Sequence, residues 1–231
     1  MSGSRNRSVL RVGLLGIVLV LALSGCQLVD RQENLQPTGD PSATEAEELL
    51  GNPEEDFPAT LAGLRAFAGP EALTWQDEPV LADMTVWLTP TGMWDRLRAT
   101  YVAADADRMM TVRADPDRLR VERPRLEGLG LPELPDTAVA ELPPVPEGLL
   151  EPADLGVAAA DALASCDAGG QPVVAVVYAT GAPAAWDGST WTTPPAWRST
   201  VITETAGVAV DPTTGTALDP LTCVDPILPD E

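Results

Sequence analysis

Apolar residues along this chain keep two rhythms, one helical and one alternating, and both halves run through them in the same order. From Ala59 to Ala68, the residues Leu61, Leu64, Phe67 and Ala68 fall at helical spacing, and Gly69-Pro70 is the expected stop. The run Leu81 to Leu88 then alternates with period two. It sets Ala82, Met84, Val86 and Leu88 on one face and Leu81, Asp83, Thr85 and Trp87 on the other. Thr89-Pro90-Thr91-Gly92 reads as a turn. A second strand covers Met93 to Ala103, with Leu97, Ala99 and Tyr101 opposite Trp94, Arg96, Arg98 and Thr100. Met109 to Arg113 and Leu119 to Arg123 make a further hairpin around Asp115-Pro116-Asp117.

Pro124 to Pro152 holds seven prolines and repeated Leu-Pro steps. Proline lacks the donor a central strand requires and biases its predecessor toward extended geometry. The stretch is therefore expected to be an extended strap lying across the first half through Leu129, Leu131 and Leu134. Helical spacing returns from Asp154 to Ala164 (Leu155, Ala158, Ala159, Ala162, Leu163), with Pro152 and Asp154 suited to its start. Val173 to Tyr178 is a β-rich run, and Gly181 to Pro195 is an irregular loop carrying Trp186 and Trp191. Trp197 to Thr205 and Val208 to Val210 are strands, and Asp211-Pro212-Thr213-Thr214-Gly215 turns the chain into Thr216 to Leu218.

Alternating strands need one face covered, so the pattern predicts an α+β protein. Two small lobes are expected, each a helix packed on an antiparallel sheet, at 58–123 and 153–222. The connector 124–152 lies between them and an acidic tail, 223–231, follows. The shared order reads either as a weak duplication or as two unrelated lobes. The terminal unit Val208-Ala-Val210-Asp211-Pro-Thr-Thr214-Gly215-Thr-Ala217-Leu218 resembles the closing hairpin of the PepSY-like group of extracytoplasmic domains. That resemblance implies a helix across a curved antiparallel sheet, a cystatin-like plan, and an association with binding or regulation at the cell envelope. It covers about a quarter of the chain and transfers no catalytic residue.

The N-terminus reads as processing signal rather than fold. Arg5, Arg7 and Arg11 precede Val12 to Leu23, 12 residues without a charge. That length is too short to span roughly 30 Å of hydrocarbon as a helix, which needs about 20 residues. The run ends in Leu23-Ser24-Gly25-Cys26, which resembles the lipobox of bacterial lipoproteins. The resemblance implies that 1–25 is a signal peptide and that Cys26 is lipidated as the first residue of the mature chain, held in the membrane by its acyl chains. Residues 26–57 then read as an acidic, flexible tether on the extracytoplasmic face of the cell membrane. With Cys26 lipidated, Cys166 and Cys223 are an even pair in an oxidising compartment and are expected to form a disulfide, a free or metal-binding thiol pair being the other option.

Composition narrows the chemistry. The chain has 35 Asp and Glu against 14 Arg, with no Lys and no His, for a net charge of -21. Without His there is no imidazole base, triad or His-based metal site, and without Lys no Schiff base or phosphate-loop lysine. Such a charge opposes nucleic acid. The pairs Asp105/Asp107, Asp115/Asp117 and Asp211/Asp219 lack the calcium-loop ladder, so no metal and no cofactor are expected.

Two candidate binding features remain. Eight of the Arg residues lie between Arg96 and Arg125, where Arg96, Arg98, Arg118 and Arg120 form a possible recognition face for an acidic partner. The alternative is cross-strand pairing with Glu122 and Asp95 on a solvated face. Trp186, Trp191 and Trp197 cluster near one loop, where aromatics serve either as contacts for a protein or glycan or as a small core. The expected function is a non-catalytic binding or regulatory module of the envelope. The alternatives are a carboxylate-dependent hydrolase such as a glycosidase, or a lipid carrier.

Overall fold

Two amphipathic helical segments lay their apolar stripes on one face of a single antiparallel sheet. The computed structural model describes residues 48–180, 185–218 and 221–225. The expected signal peptide, Cys26, most of the expected tether and the end of the acidic tail lie outside the described residues. The elements are β1 (Glu48–Leu49), α1 (Pro53–Asp56), α2 (Leu61–Trp75), β2 (Val80–Leu88), β3 (Trp94–Val102), β4 (Met110–Asp115) and β5 (Arg118–Glu122). After the connector come α4 (Pro152–Ala158), α5 (Ala160–Ser165), β6 (Val173–Ala179), β7 (Arg198–Thr203), β8 (Gly207–Val210) and β9 (Cys223–Val224). The connector itself carries α3 (Asp136–Ala140). Among the described residues no helix is long and apolar enough to cross a membrane.

The strands are ordered β1-β5-β4-β3-β2-β6-β7-β8-β9. Each half is a helix followed by an antiparallel meander, as expected, but the halves do not keep separate sheets. Their first strands, β2 and β6, pair antiparallel from Asp83↔Ala179 to Trp87↔Ala175. This corrects the two-lobe plan, and the reason is physical. Each meander alone would leave its first strand as an unpaired edge, and joining the two satisfies both rows of backbone groups. The sequence carries the matching signal: Val173-Val-Ala-Val-Val-Tyr-Ala has no polar face, as befits a strand covered on both sides.

On the helix-covered face, Met84, Val86, Leu97, Ala99, Val112 and Val121 of the first half continue into Val176, Tyr178, Val201 and Val208 of the second. Helix α2 buries Leu61, Leu64, Ala68 and Ala72 against them, and α4 and α5 bury Leu155, Ala159 and Leu163. Helix α2 runs through Gly69-Pro70 to Trp75 instead of stopping there. Pro70 is exposed, and the fully buried Ala72 continues the apolar stripe one turn beyond it, so packing outweighs the lost hydrogen bond. The helix begins on an N-cap whose hydroxyl, Thr60 Oγ1, accepts from Gly63 N–H at 2.9 Å. The first turn has no acid of its own, and Glu151 supplies one from the connector, both carboxylate oxygens lying 3.2 Å from Leu61 N.

The connector is also more structured than an extended strap. Pro135 sits at the N-cap of α3, where its missing N–H and fixed φ do no harm. Leu134, Ala138, Val139 and Leu142 then pack on the opposite face of the sheet against Ala82, Val102 and Trp186. Of the three leucines expected to hold the strap, Leu134 is 1 % exposed whereas Leu129 is 50 % exposed. A bulge between Leu81 and Asp83 shifts the alternation of β2, so Leu81 joins the helix-side core and Ala82 the other. The sheet also begins earlier than Phe57, because Glu48–Leu49 pairs with β5.

Cys166, at the end of α5, is disulfide-bonded to Cys223 in β9 with Cα atoms 5.6 Å apart and a sequence separation of 57. The terminal hairpin turns at Gly215 with φ +70°, and a Cβ there would overlap that of Ala158 in α4. Gly92, in the β2–β3 turn, has φ +79° but open space around it. Replacing both Cys166 and Cys223 with Ala is expected to lower unfolding free energy by about 4 kcal/mol or somewhat less, read from urea midpoints. In the same assay Gly215→Ala should cost clearly more than Gly92→Ala. The second change meets only the left-handed backbone penalty of about 1 kcal/mol, while the first adds the clash with α4.

Candidate functional site

The face of the sheet away from α2 and α4 is where the candidate residues gather. Cross-strand register aligns Arg120, Arg113 and Arg98 in one row, continued by Thr85, Val177 and Thr200. Three guanidiniums in a row repel one another, and neighbouring acids offset them. Arg98 lies 3.4 Å from Asp83, Arg113 3.0 Å from Glu122, and Arg120 3.2 Å from Asp115 and 2.9 Å from Glu122. Arg96 lies over the Trp87 ring at 5.5 Å and 3.4 Å from Asp95. Arg118 pairs with Asp115 in the ladder, at the exposed end of β5. The structure thus brings Arg96, Arg98 and Arg120 together on one face as part of an ionic lattice with Glu122 and Asp95. Burial raises the Asp83 carboxyl above its ordinary range, and the Arg98 charge opposes that rise.

The tryptophans divide. Trp186 is 8 % exposed and packs with the α3 residues of the connector. Trp191 is half-buried and meets Trp186 edge-on, with ring centroids 5.4 Å apart at 67°. Trp197 belongs to the helix-side core, its indole N–H donating to Pro143 O at 3.1 Å. Between the first two, Asp187 closes a tight turn. Its Oδ1 accepts from Thr190 N at 2.8 Å and from Ser189 N and Oγ at 2.9 Å. Thr192 N and Oγ1 both donate to Ala185 O at 2.8 Å, which completes a short clasp. Asp211-Pro212-Thr213-Thr214 uses the same device, with Asp211 Oδ1 accepting from both following threonines.

This clasp and the sheet enclose a cleft of about 500 Å³. Its floor is Val177, Ala179 and Thr200, and its wall includes Thr192, Thr193 and Pro194. Thr180 and Arg198 also line it, with no Asp or Glu among the described lining residues. Thr180 Oγ1 is buried with no hydrogen-bond partner among the described residues. Arg198 has no ion pair among them either, although the chain carries 35 acids. No sequence motif marks Thr180, Arg198 or Thr200. Arg198 did carry a signal there, as the chain's last Arg, isolated from the run ending at Arg125. A larger cleft, about 760 Å³, lies between α4, α5 and the β2–β3 turn, and its walls, such as Leu88, Val157 and Val173, are uncharged. Among the described residues no group of three or more potential ligands is arranged to hold a metal ion.

The hydrogen bonds from Thr190 and Ser189 lower the Asp187 pKa from 3.8 to about 2. A carboxyl whose pKa is depressed by folding stabilises the native state fully above its unfolded value and loses that contribution as pH falls through its folded one. The clasp should therefore hold at pH 4 and loosen as pH falls toward 2, a change that a carboxyl-carbon NMR titration of Asp187 reads directly. Asp187→Ala should loosen it at every pH and weaken the near-ultraviolet circular dichroism of Trp191.

No protein-family model, curated protein sequence or solved structure matches the chain.

Proposed function

We propose that this chain is a lipid-anchored extracytoplasmic lipoprotein that serves as a non-catalytic binding or regulatory module of the cell envelope. Anchorage rests on the lipobox Leu23-Ser24-Gly25-Cys26 and on the acidic tether that follows it. The binding role rests on one observation above the others. The helices seal one face of the sheet, while the other face presents an ionic lattice and, beside the Trp186–Trp191 pair, a hydroxyl-lined cleft. A glycosidase would need two carboxyl groups facing each other across such a cleft. Here the lining contains none, and the desolvated Asp83 lies a strand away, engaged by Arg98. The helix and antiparallel meander of the second half support the PepSY-like reading of its closing hairpin, and with it a protein or glycan partner, without supplying a catalytic residue.

Intact-mass measurement of protein extracted from membranes should find a diacylglyceryl-modified chain beginning at Cys26, and Cys26→Ala should release a folded protein from the membrane fraction. An unmodified N-terminus elsewhere would end the anchoring claim. Photocrosslinking from position 193 on intact cells should capture an extracytoplasmic component. Reproducible turnover by the purified protein, abolished by one Asp or Glu substitution, would replace binding with catalysis.

A further inference from the structure

We propose that the cleft between β6, β7 and the tryptophan clasp binds a small monocarboxylate with an apolar body, its carboxylate held by Arg198. The inference rests on the reading of the chain as a binding module and names the ligand chemistry of that face. Among the described residues Arg198 is the one charged residue lining a cleft of about 500 Å³, a volume suited to a small molecule. Its guanidinium forms no ion pair among the described residues, whereas Arg98, Arg113 and Arg120 on the same face each meet a carboxylate. Arginine's planar fork matches a carboxylate with two parallel hydrogen bonds.

The remaining lining divides by chemistry. Thr180, Thr192, Thr193 and Thr200 supply hydroxyls to the lining. Val177, Ala179, Ala185 and Ala196 offer only apolar surface, which fits a hydrocarbon body and excludes a ligand polar throughout. A single cation neutralises a single negative charge. A phosphate dianion would keep a surplus charge beside a chain whose net charge is -21, which disfavours phosphate and selects a carboxylate.

The test is an amide-resolved NMR titration of the full chain in detergent micelles with phenylacetate, phenylacetamide and phenyl phosphate. Phenylacetate should give saturable shifts at Thr180, Thr192 and Thr200, with the neutral amide and the phosphate weaker by about tenfold or more. Arg198→Gln, in the same micelles, should lose about tenfold or more of phenylacetate affinity with an unchanged unfolding midpoint, since the side chain is exposed. Arg65→Gln, on α2, should bind as the parent does. No saturable shift with phenylacetate overturns the proposal. So does an equal response to phenylacetamide, a tighter response to phenyl phosphate, or retained affinity in a folded Arg198→Gln chain. Should that variant fail to fold, the comparison of acid with amide on the parent chain still decides. A partner captured on cells alongside a failed titration would leave the binding module standing and remove only the carboxylate site.

Discussion

The antiparallel pairing of β2 with β6 governs the rest of the molecule. Thr85 and Val177 face each other at its centre, and the meanders extend outward from it in opposite directions. Because the pairing is antiparallel, the helix preceding each first strand is delivered to the same face of the sheet. Helix α2 reaches β3 and β4, α4 reaches β6, and α5 reaches β8, so one apolar layer runs beneath both halves. The buried positions repeat as well. Leu61, Leu64, Ala68 and Ala72 are spaced as Pro152, Leu155, Ala159 and Leu163 are, by steps of three, four and four. Two helices with the same stripe on one sheet explain the identical element order without separate cores.

The same junction decides what becomes of the second face. Among the described residues neither half contributes a helix of its own to that side, so cover comes from the connector and the tryptophan clasp. Leu134, Ala138 and Leu142 shield Ala82 and Val102, and Trp186 closes the edge of that patch. Beyond its reach the strands of the first half use paired charges and the strands of the second use small and hydroxyl residues. The difference is one of strand chemistry. Strands β3 to β5 alternate Arg and Asp or Glu with their core residues, whereas β6 carries no charge at all.

Much of this was legible locally. Leu97, Ala99 and Tyr101 alternate into the core as their spacing requires, and the hairpin at Asp115-Pro116-Asp117 forms where it was expected. The Cys166–Cys223 pairing was expected from parity once Cys26 is set aside. What escaped was non-local. Gly69-Pro70 is a strong local stop, but Ala72 beyond it is buried, and burial is settled by the strands underneath. Trp186 in an irregular loop looks available to a partner, yet its contacts come from a proline-rich stretch whose helix depends on tertiary support. The cleft residues Thr180, Thr192, Arg198 and Thr200 share no motif. They meet only because β6 and β7 pair in the register Val177↔Thr200 and because Asp187 folds the loop back over them.

So acidic a chain can hold a site for an anion only through the local arrangement of its charges. A net charge of -21 sets a repulsive potential overall, but charges beyond about 8 Å are largely screened at physiological ionic strength. The local inventory therefore matters more than the total. Around Arg198, β6 is uncharged and β7 brings no acid. The loop acid Asp187 directs both carboxylate oxygens into its own turn, where Ser189 and Thr190 donors hold them. The acid in register with Ala179, Asp83, is engaged by Arg98 on the far side of its strand. Asp211, next along β8 from the Ser199↔Val210 pair, is likewise held by Thr213 and Thr214, so these three acids have partners of their own while Arg198 has no ion pair among the described residues. In such a setting one cation suffices for selectivity, because the competing acids of the chain are held by geometry rather than merely outnumbered.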